Sequence, residues 1–190
     1  GLLGSACLRI FNENPKISAI GTFRYKFDCN KFPYDSKQHY FLPDAFDVKQ
    51  IKLLFQKLQP SLVINCTSLS KNKLLLNDPL ELIPIYALLP HTIAKVCHQF
   101  SARFIQISSD GVFSGDKGYY SEEDLPDACD LYGKTKLLGE VSSDDCITIR
   151  TSMIGHDHTQ QNGLVSWFLN QEGACKGFPK SIFSGFPVTV

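Results

Sequence analysis

The chain has 190 residues, of which 43% are hydrophobic, and its 19 basic and 19 acidic residues leave no net charge. This composition predicts one folded globular domain over residues 1–190. The balanced charge argues against a nucleic-acid binder, and no apolar run reaches the ~20 residues that a bilayer-spanning helix needs, so we expect neither nucleic acid nor membrane as a partner.

Hydrophobic spacing predicts helices and strands that alternate along the chain. The expected helices cover residues 1–11, 48–58, 79–100, 130–141 and 164–169, and the expected strands cover residues 17–22, 40–42, 61–66, 103–108 and 146–150. We expect Pro84 or Pro90 to break the third helix. The alternation predicts an α/β fold with a parallel sheet, and ligands bind beyond the carboxyl ends of the strands in such sheets.

Two features near the beginning of the sequence fit a dinucleotide site. Gly1 and Gly4 precede a helical pattern and resemble the second half of a glycine-rich phosphate loop, although an ordinary helix start is the more frequent reason for two glycines at this spacing. About twenty residues later stands Arg24, with no acidic residue before Asp28. A basic residue there favours the 2′-phosphate of NADP, and an exposed loop arginine is the alternative.

Tyr132 and Lys136 form a Y-x-x-x-K pattern near the start of a predicted helix, and this spacing places both on one helical face. An ammonium group near a phenol lowers the phenol's pKa from about 10, which makes the tyrosine a usable proton donor near neutral pH. The preceding strand ends in Ser108 and Ser109. A strand ending in serine, followed by a Y-x-x-x-K helix, predicts a catalytic site at the carboxyl edge of the sheet.

Five segments carry a family resemblance. They are Ser61–Cys66, Ile107–Gly115, Tyr132–Glu140, Ile149–Ser152 and Ile182–Pro187. In this order they make the chain resemble an extended short-chain dehydrogenase/reductase, most closely the dTDP-4-dehydrorhamnose reductase branch. The resemblance implies a Rossmann-type doubly wound parallel sheet, and it leads us to expect a chain that lacks the first strand and most of the C-terminal substrate lobe.

The resemblance also implies residue roles. It places Ser109, Tyr132 and Lys136 at the catalytic positions, and Ser109, Tyr132 and Asn162 at the substrate. The implied cofactor-binding residues are Gly1, Gly4, Arg24, Cys66, Thr67, Lys136, Thr151 and Ser152. No metal site is expected, because the pair His156 and His158 has no other clustered ligand.

The implied activity is the NADP(H)-dependent reduction of a nucleotide-linked 4-keto-6-deoxy sugar, with NAD(H) as the alternative cofactor. Ser109 is expected to hold the carbonyl oxygen, Tyr132 to give the proton, and Lys136 to lower the pKa of Tyr132. Two other functions stay open: an epimerase or dehydratase of the same superfamily, and a non-catalytic nucleotide-binding regulatory subunit. The expected partners are a nucleotide-sugar substrate and a second copy of the chain in a homodimer.

Two positions depart from the family pattern. Tyr86 stands where many relatives place an asparagine that supports the proton relay, and we expect a bulky phenol there to block or reroute that relay. Gly111 stands where the reductases often carry an aromatic residue, which is expected to alter the sugar pocket. Seven cysteines without a C-x-x-C pair argue against a disulfide framework, so we expect a reducing, cytoplasmic location.

Overall fold

The computed structural model describes residues 1–24, 39–69, 77–155, 163–177, 179 and 182–188. Contacts between Cα atoms group the chain into two compact units. The first unit combines Gly1–Pro43 with Ser152–Val190, and the second is Asp44–Thr151. The single domain expected from the sequence stays a prediction.

Helices and strands alternate along most of the described residues. The helices are α1 (Leu2–Glu13), α2 (Val48–Leu58), α3 (Pro79–Leu82), α4 (Leu89–Gln99), α5 (Leu131–Leu138) and α6 (Leu164–Leu169). The strands are β1 (Gly21–Phe23), β2 (His39–Phe41), β3 (Leu62–Asn65), β4 (Arg103–Ile107), β5 (Cys146–Ile149), β6 (Met153–Ile154) and β7 (Phe186–Pro187). A π-helical segment (Ile83–Leu88) joins α3 to α4, and a 3₁₀ turn (Asp110–Val112) follows β4.

Every strand pairing is parallel among the described residues. In the second unit the sheet order is β3-β4-β5, with Phe104 of β4 opposite Val63 on one side and Cys146 on the other. In the first unit β1 pairs with β2, and β6 pairs with β7. Parallel strands joined through helices confirm the predicted α/β fold.

The helix α2 has the bounds that its sequence predicts. The Asp47 carboxylate accepts hydrogen bonds from the backbone N–H groups of Lys49 and Gln50 at 3.0 and 3.1 Å, which satisfies two first-turn donors. Ile51 and Phe55, four residues apart, form its buried face. The start of α2 and its buried face are therefore both fixed by residues that are close in sequence.

The expected break in the helix over residues 79–100 was wrong. The helix continues through Pro84 as a π-helical segment, in which the Leu89 N–H donates to the Pro84 carbonyl five residues earlier. A wider turn accommodates a proline because the proline has no N–H to pair and its ring needs space beside the preceding turn. Two prolines are therefore compatible with one helix from Pro79 to Gln99.

That same helix is the one candidate for a membrane span in the part of the chain that the structure describes. It qualifies by length and composition only, and 44% of its most apolar stretch is buried inside the protein. Leu82, Leu89 and Cys97 have no exposed surface, and Tyr86 belongs to the same core cluster as Leu82 and Leu89. Burial of this kind is typical of a core helix.

Two other elements differ from their predicted bounds by three residues or more. The expected strand over residues 17–22 was wrong in most of its length, because pairing with β2 begins at Gly21. Ile17 and Ile20, whose spacing suggested the strand, are exposed. Helix α5 ends at Leu138, three residues before the predicted end, with Gly139 as its C-cap.

Candidate active site

The carboxyl edge of the three-stranded sheet gathers most of the catalytic and cofactor residues expected in the second unit. Cys66 and Thr67 follow β3, Ser109 follows β4 by two residues, and Thr151 follows β5 by two residues. Because the three strands are parallel and adjacent, their carboxyl ends lie at one edge. This is the edge where ligands bind in open α/β sheets.

Ser109 is held at the start of the 3₁₀ turn after β4. Its Oγ accepts a hydrogen bond from the Gly111 N–H at 3.0 Å and donates to the Asp110 carboxylate at 3.2 Å. The Ser109 Oγ and the Tyr132 ring both border the backbone of Gly111. The serine and the tyrosine of the predicted catalytic set therefore flank the same small space.

Tyr132 and Lys136 lie one turn apart on α5, as their spacing predicts. Asp130 caps this helix, with its carboxylate accepting from the Gly133 N–H at 2.8 Å. A β-carbon at Gly133 would collide with the Gly111 carbonyl, so glycine allows the helix to approach the turn that carries Ser109. This close approach brings the tyrosine to the serine.

Gly111 keeps the space beside these two side chains open. A β-carbon at this position would lie 3.2 Å from the Ser109 Oγ and 3.3 Å from a ring carbon of Tyr132. Both distances are tight for a β-carbon, so a larger side chain would press on the pair. The departure from the family's aromatic residue thus has a local steric consequence.

Tyr86 packs directly against Tyr132 and Lys136. Its ring meets the Tyr132 ring edge to face, with centroids 5.4 Å apart and planes at 87°. The Lys136 Nζ lies 5.1 Å from the centroid of the Tyr86 ring, a cation–π distance. The Tyr86 hydroxyl accepts from the Leu69 N–H and hydrogen-bonds the Ser68 Oγ, both at 3.0 Å. The departure from the family's asparagine therefore lies inside the site.

The pKa shifts run against one expectation from the sequence. Burial raises the pKa of Tyr132, and a hydrogen bond with Ser109 offsets only part of that rise. Lys136 is not among the groups that lower it. The pKa of Tyr132 is therefore raised, where the sequence analysis expects it to be lowered, and the Lys136 ammonium has other close partners.

The Lys136 ammonium is bound by a carbonyl and an aromatic face. Its Nζ donates to the Ile107 carbonyl at 2.7 Å, and its other close group is the Tyr86 ring. Burial lowers the pKa of Lys136 to about 8, and the charge of Glu140 opposes this shift. Near neutral pH the ammonium is therefore largely charged and close to its titration midpoint.

A second polar network, which the sequence reasoning missed, lies beside the catalytic set. Glu140 accepts a hydrogen bond from the Ser108 Oγ at 2.8 Å and is bound in a bidentate way by Arg150, with the shortest contact at 2.7 Å. The network joins residues just beyond β4, α5 and β5. Charged residues beside apolar strands and helices were the signal that could have revealed it.

A buried amide pair orders the turn after β3. The Asn65 Nδ2 donates to the Gln106 Oε1 at 2.8 Å, and the Asn65 Oδ1 accepts from the Thr67 N–H at 3.1 Å. The Gln106 Nε2 donates to the Ile107 carbonyl at 2.9 Å, the same oxygen that accepts from Lys136. The turn after β3 and the lysine are thus connected through two buried amides.

The first unit contains the residues predicted for the phosphate end of the cofactor. Gly1 is the N-cap of α1 and Gly4 lies in its first turn, so the predicted helix start is present. Arg24 follows β1 and is exposed, and Ser152 precedes β6. The predicted substrate residue Asn162 and the pair His156 and His158 lie outside the described residues. Among the residues that are described, no three potential metal ligands cluster.

A parallel α/β sheet with serine, tyrosine and lysine near its carboxyl edge is the arrangement that the sequence analysis expects of a short-chain dehydrogenase/reductase. The family model described as the RmlD substrate binding domain matches residues 1–174. The chain therefore belongs to the RmlD family.

Curated relatives fall into two groups. Methionine adenosyltransferase 2 subunit beta from Xenopus laevis is 30% identical over 143 residues, which is 74% of this chain and 39% of the relative. The probable low-salt glycan biosynthesis reductase Agl14 from Haloferax volcanii is 28% identical over 175 residues, which is 88% of this chain and 55% of the relative. The chain thus spans between about two fifths and just over half of these relatives.

Solved structures agree with this family assignment. A hypothetical dTDP-4-dehydrorhamnose reductase from Sulfolobus tokodaii matches with a TM-score of 0.66 and 27% identity, over 83% of this chain and 55% of that chain. The enzyme WbmG from Bordetella bronchiseptica, solved with NAD and UDP, matches with a TM-score of 0.71 and 13% identity, over 88% of this chain and 55% of that chain. At that identity the second match shows the fold alone.

Proposed function

We propose that this chain carries the catalytic site of a reductase that transfers hydride from NADP(H) to a nucleotide-linked 4-keto-6-deoxy sugar. The observation that carries the proposal is that Ser109 and the Tyr132 ring border the same space beside Gly111, with Lys136 one helical turn from Tyr132. Relatives include a probable glycan biosynthesis reductase and a structure named as a dTDP-4-dehydrorhamnose reductase.

Each unit, taken by itself, contains residues that suit one part of a nicotinamide dinucleotide. The N-terminus of α1 at Gly1 offers first-turn N–H groups to a pyrophosphate. The Lys136 ammonium carries three donors, of which one goes to the Ile107 carbonyl, its single hydrogen-bond partner among the described residues. The remaining donors suit ribose hydroxyls. Arg24, exposed after β1, supplies the positive charge that a 2′-phosphate requires.

Each catalytic residue has one task in the proposed reaction. When bound, the reduced cofactor supplies the hydride to the keto carbon. Ser109 donates a hydrogen bond to the carbonyl oxygen, and Tyr132 gives that oxygen its phenolic proton. The raised pKa of Tyr132 keeps the phenol protonated before transfer, and the Lys136 ammonium, whose donors are only partly used by the Ile107 carbonyl, is available to hold the cofactor's ribose.

Loss of cofactor absorbance tests the reductase proposal. Protein with NADPH and dTDP-4-dehydrorhamnose is expected to consume NADPH. Tyr132→Phe is expected to lower kcat by about 10² to 10⁴-fold while NADPH affinity is retained, because the variant loses only the proton donor. Tyr119→Phe, at a fully exposed tyrosine, is the matched control. Full turnover in Tyr132→Phe would remove Tyr132 from the mechanism.

Cofactor choice has its own test. Arg24→Ala is expected to weaken NADPH binding by about 10 to 100-fold and to leave NADH binding unchanged, since only NADPH has the 2′-phosphate. Titration calorimetry with both cofactors measures this, and Lys16→Ala at an exposed lysine of the same unit is the control. Equal losses for both cofactors would contradict the role of Arg24.

A nucleotide-binding regulatory subunit is the second candidate, and two observations favour it. The curated relatives include the beta subunit of methionine adenosyltransferase 2, at 30% identity over 74% of this chain. Tyr86, which stands where the family pattern has an asparagine, packs its ring face against the Lys136 ammonium. NADPH binding without consumption on any keto sugar, together with changed kinetics of an added methionine adenosyltransferase, would favour this function over the reductase.

A further inference from the structure

The aromatic ring of Tyr86 occupies the centre of the candidate site, although neither the Y-x-x-x-K pattern nor the serine assigns it a task. It is 2% exposed, and it lies on the π-helical segment between α3 and α4. The hydroxyl, the ring edge and the ring face of Tyr86 each make a specific contact. A residue that only fills space in the core does not require three such contacts.

The hydroxyl fixes where the ring lies. It accepts from the Leu69 N–H and hydrogen-bonds the Ser68 Oγ, both at 3.0 Å, in the segment that follows β3. The backbone on the other side is equally constrained, because a β-carbon at Gly139 would collide with the Tyr86 carbonyl. The ring is therefore held between the segment after β3 and the end of α5.

The ring face and the ring edge contact the two catalytic candidates of α5. Lys136 presents its ammonium at 5.1 Å from the ring centroid, and Tyr132 packs edge to face at 5.4 Å. The lysine is 6% exposed, so this cation–π contact lies where water competes little for the ammonium. One fixed ring thus sets the positions of both side chains.

We propose that Tyr86 is a positioning residue that holds the Lys136 ammonium between its ring face and the Ile107 carbonyl, and thereby sets the distance between that ammonium and the Tyr132 phenol. The effect on turnover rests on the proposed reductase function, but the effect on Lys136 does not. Among the described residues, the groups that face the ammonium are the Tyr86 ring, the Ile107 carbonyl and the charge of Glu140.

The decisive measurement is the pKa of Lys136, followed by NMR in protein labelled with ¹³C at the lysine ε-carbons and assigned by the loss of one resonance in Lys136→Met. In the unmodified protein the midpoint is expected at about 8. The π face favours the charged form, so Tyr86→Leu is expected to lower the midpoint by about 1. The exposed-residue variant Tyr119→Leu is the control and is expected to leave it unchanged.

An isosteric series covers the case in which Tyr86→Leu fails to fold. Phenylalanine at position 86 keeps the ring face, whereas pentafluorophenylalanine keeps the shape and reverses the charge distribution of the face. In Tyr86→Phe we expect the titration midpoint of Lys136 to stay near that of the unmodified protein. In the pentafluorophenylalanine protein we expect it to fall by about 1 pH unit. Equal midpoints in the two proteins would overturn the proposal.

Turnover provides the second readout. The alkaline limb of the kcat profile is expected to move to lower pH with the Lys136 midpoint in the pentafluorophenylalanine protein, and Tyr86→Phe is expected to retain the original profile. If the alkaline limb of the pH profile of kcat does not shift with the titration midpoint of Lys136, the positioning role of Tyr86 is wrong. If the unmodified protein consumes no NADPH, the reductase function fails, and the NMR titration still decides how Lys136 is held.

Discussion

Two cations of the second unit are stabilised in different ways. Arg150 is paired with a carboxylate: Glu140 binds it through two oxygens, and the side chains are 24% and 14% exposed. Lys136 is more deeply buried, and its close partners in the described part of the chain are a carbonyl and an aromatic ring. Accordingly the pKa of Arg150 is raised, chiefly by its hydrogen bonds to Glu140, and the pKa of Lys136 is lowered by burial.

This difference indicates that Arg150 has a structural role, whereas Lys136 has donors left to bind a ligand. A bidentate carboxylate satisfies most of the guanidinium's charge and geometry, so Arg150 is well suited to hold β5 against the end of α5. A carbonyl and a ring satisfy an ammonium only in part, and the unused donors of Lys136 can bind an incoming group. The weaker pairing thus lies at the candidate catalytic site.

Of the changes considered, removal of the Glu140 carboxylate, which pairs with Arg150, is expected to lower the free energy of unfolding the most. Glu140→Ala leaves the Arg150 charge and the Ser108 hydroxyl without their shared acceptor, and it is expected to cost about 3 kcal/mol in the free energy of unfolding. Denaturant unfolding measures it. Glu123→Ala, at an exposed glutamate, is the control and is expected to stay within about 0.5 kcal/mol of the unmodified protein. Similar losses in the two variants would show that the network adds little stability.

The pH dependence of stability distinguishes the two cations directly. The pKa of Lys136 is about 8 in the folded protein and about 10.4 in an unfolded chain, so between these values the unfolded state binds the extra proton. Stability contributed by this group therefore rises as pH increases from 8 towards 10. Arg150 contributes no slope there, because both states keep its guanidinium charged.

The measurement is the difference in unfolding free energy between the unmodified protein and Lys136→Met across this pH range. The unmodified protein is expected to gain on the order of 2 kcal/mol relative to the variant between pH 8 and pH 10. Cys97, whose pKa burial raises to about 12, also affects stability at high pH, but it does so in both proteins. Parallel pH curves would mean that Lys136 is not desolvated in the folded state.

Local sequence signals predict part of this arrangement. The bounds of α2 follow from the cap Asp47 and the apolar spacing of Ile51 and Phe55, all within one segment. The shared face of Tyr132 and Lys136 follows from their spacing of four. Such features depend on neighbours in sequence, and a periodic pattern therefore indicates them.

The partners of Lys136 could not be predicted in the same way. Tyr86 is 50 positions away and reaches the lysine through a π-helical segment that no periodic pattern signals. The spacing alone placed the ammonium towards the Tyr132 phenol, whereas the fold directs it to the Ile107 carbonyl. The strand expected at residues 17–22 failed for a related reason, because β2 decides where pairing starts.

The smallest energetic effect is expected from the contact between the Phe113 ring and Arg150. The Arg150 guanidinium lies 5.2 Å from the Phe113 ring, which stacks on Tyr120 with centroids 4.4 Å apart. Because Glu140 already satisfies the guanidinium and part of Arg150 is in water, this ring adds less than Tyr86 adds at Lys136. A double-mutant cycle of Phe113→Leu and Arg150→Met is expected to give a coupling energy of about 0.5 kcal/mol.

The cycle is informative because both cations lie over an aromatic ring at nearly the same distance. If the distance alone set the energy, the Phe113–Arg150 coupling would equal the effect of removing the Tyr86 face from Lys136, about 1.4 kcal/mol for a pKa change of about 1. We expect it to be smaller, since cation–π contacts weaken where a carboxylate and water compete for the cation. A coupling as large as that at Lys136 would contradict the division between a structural and a responsive cation.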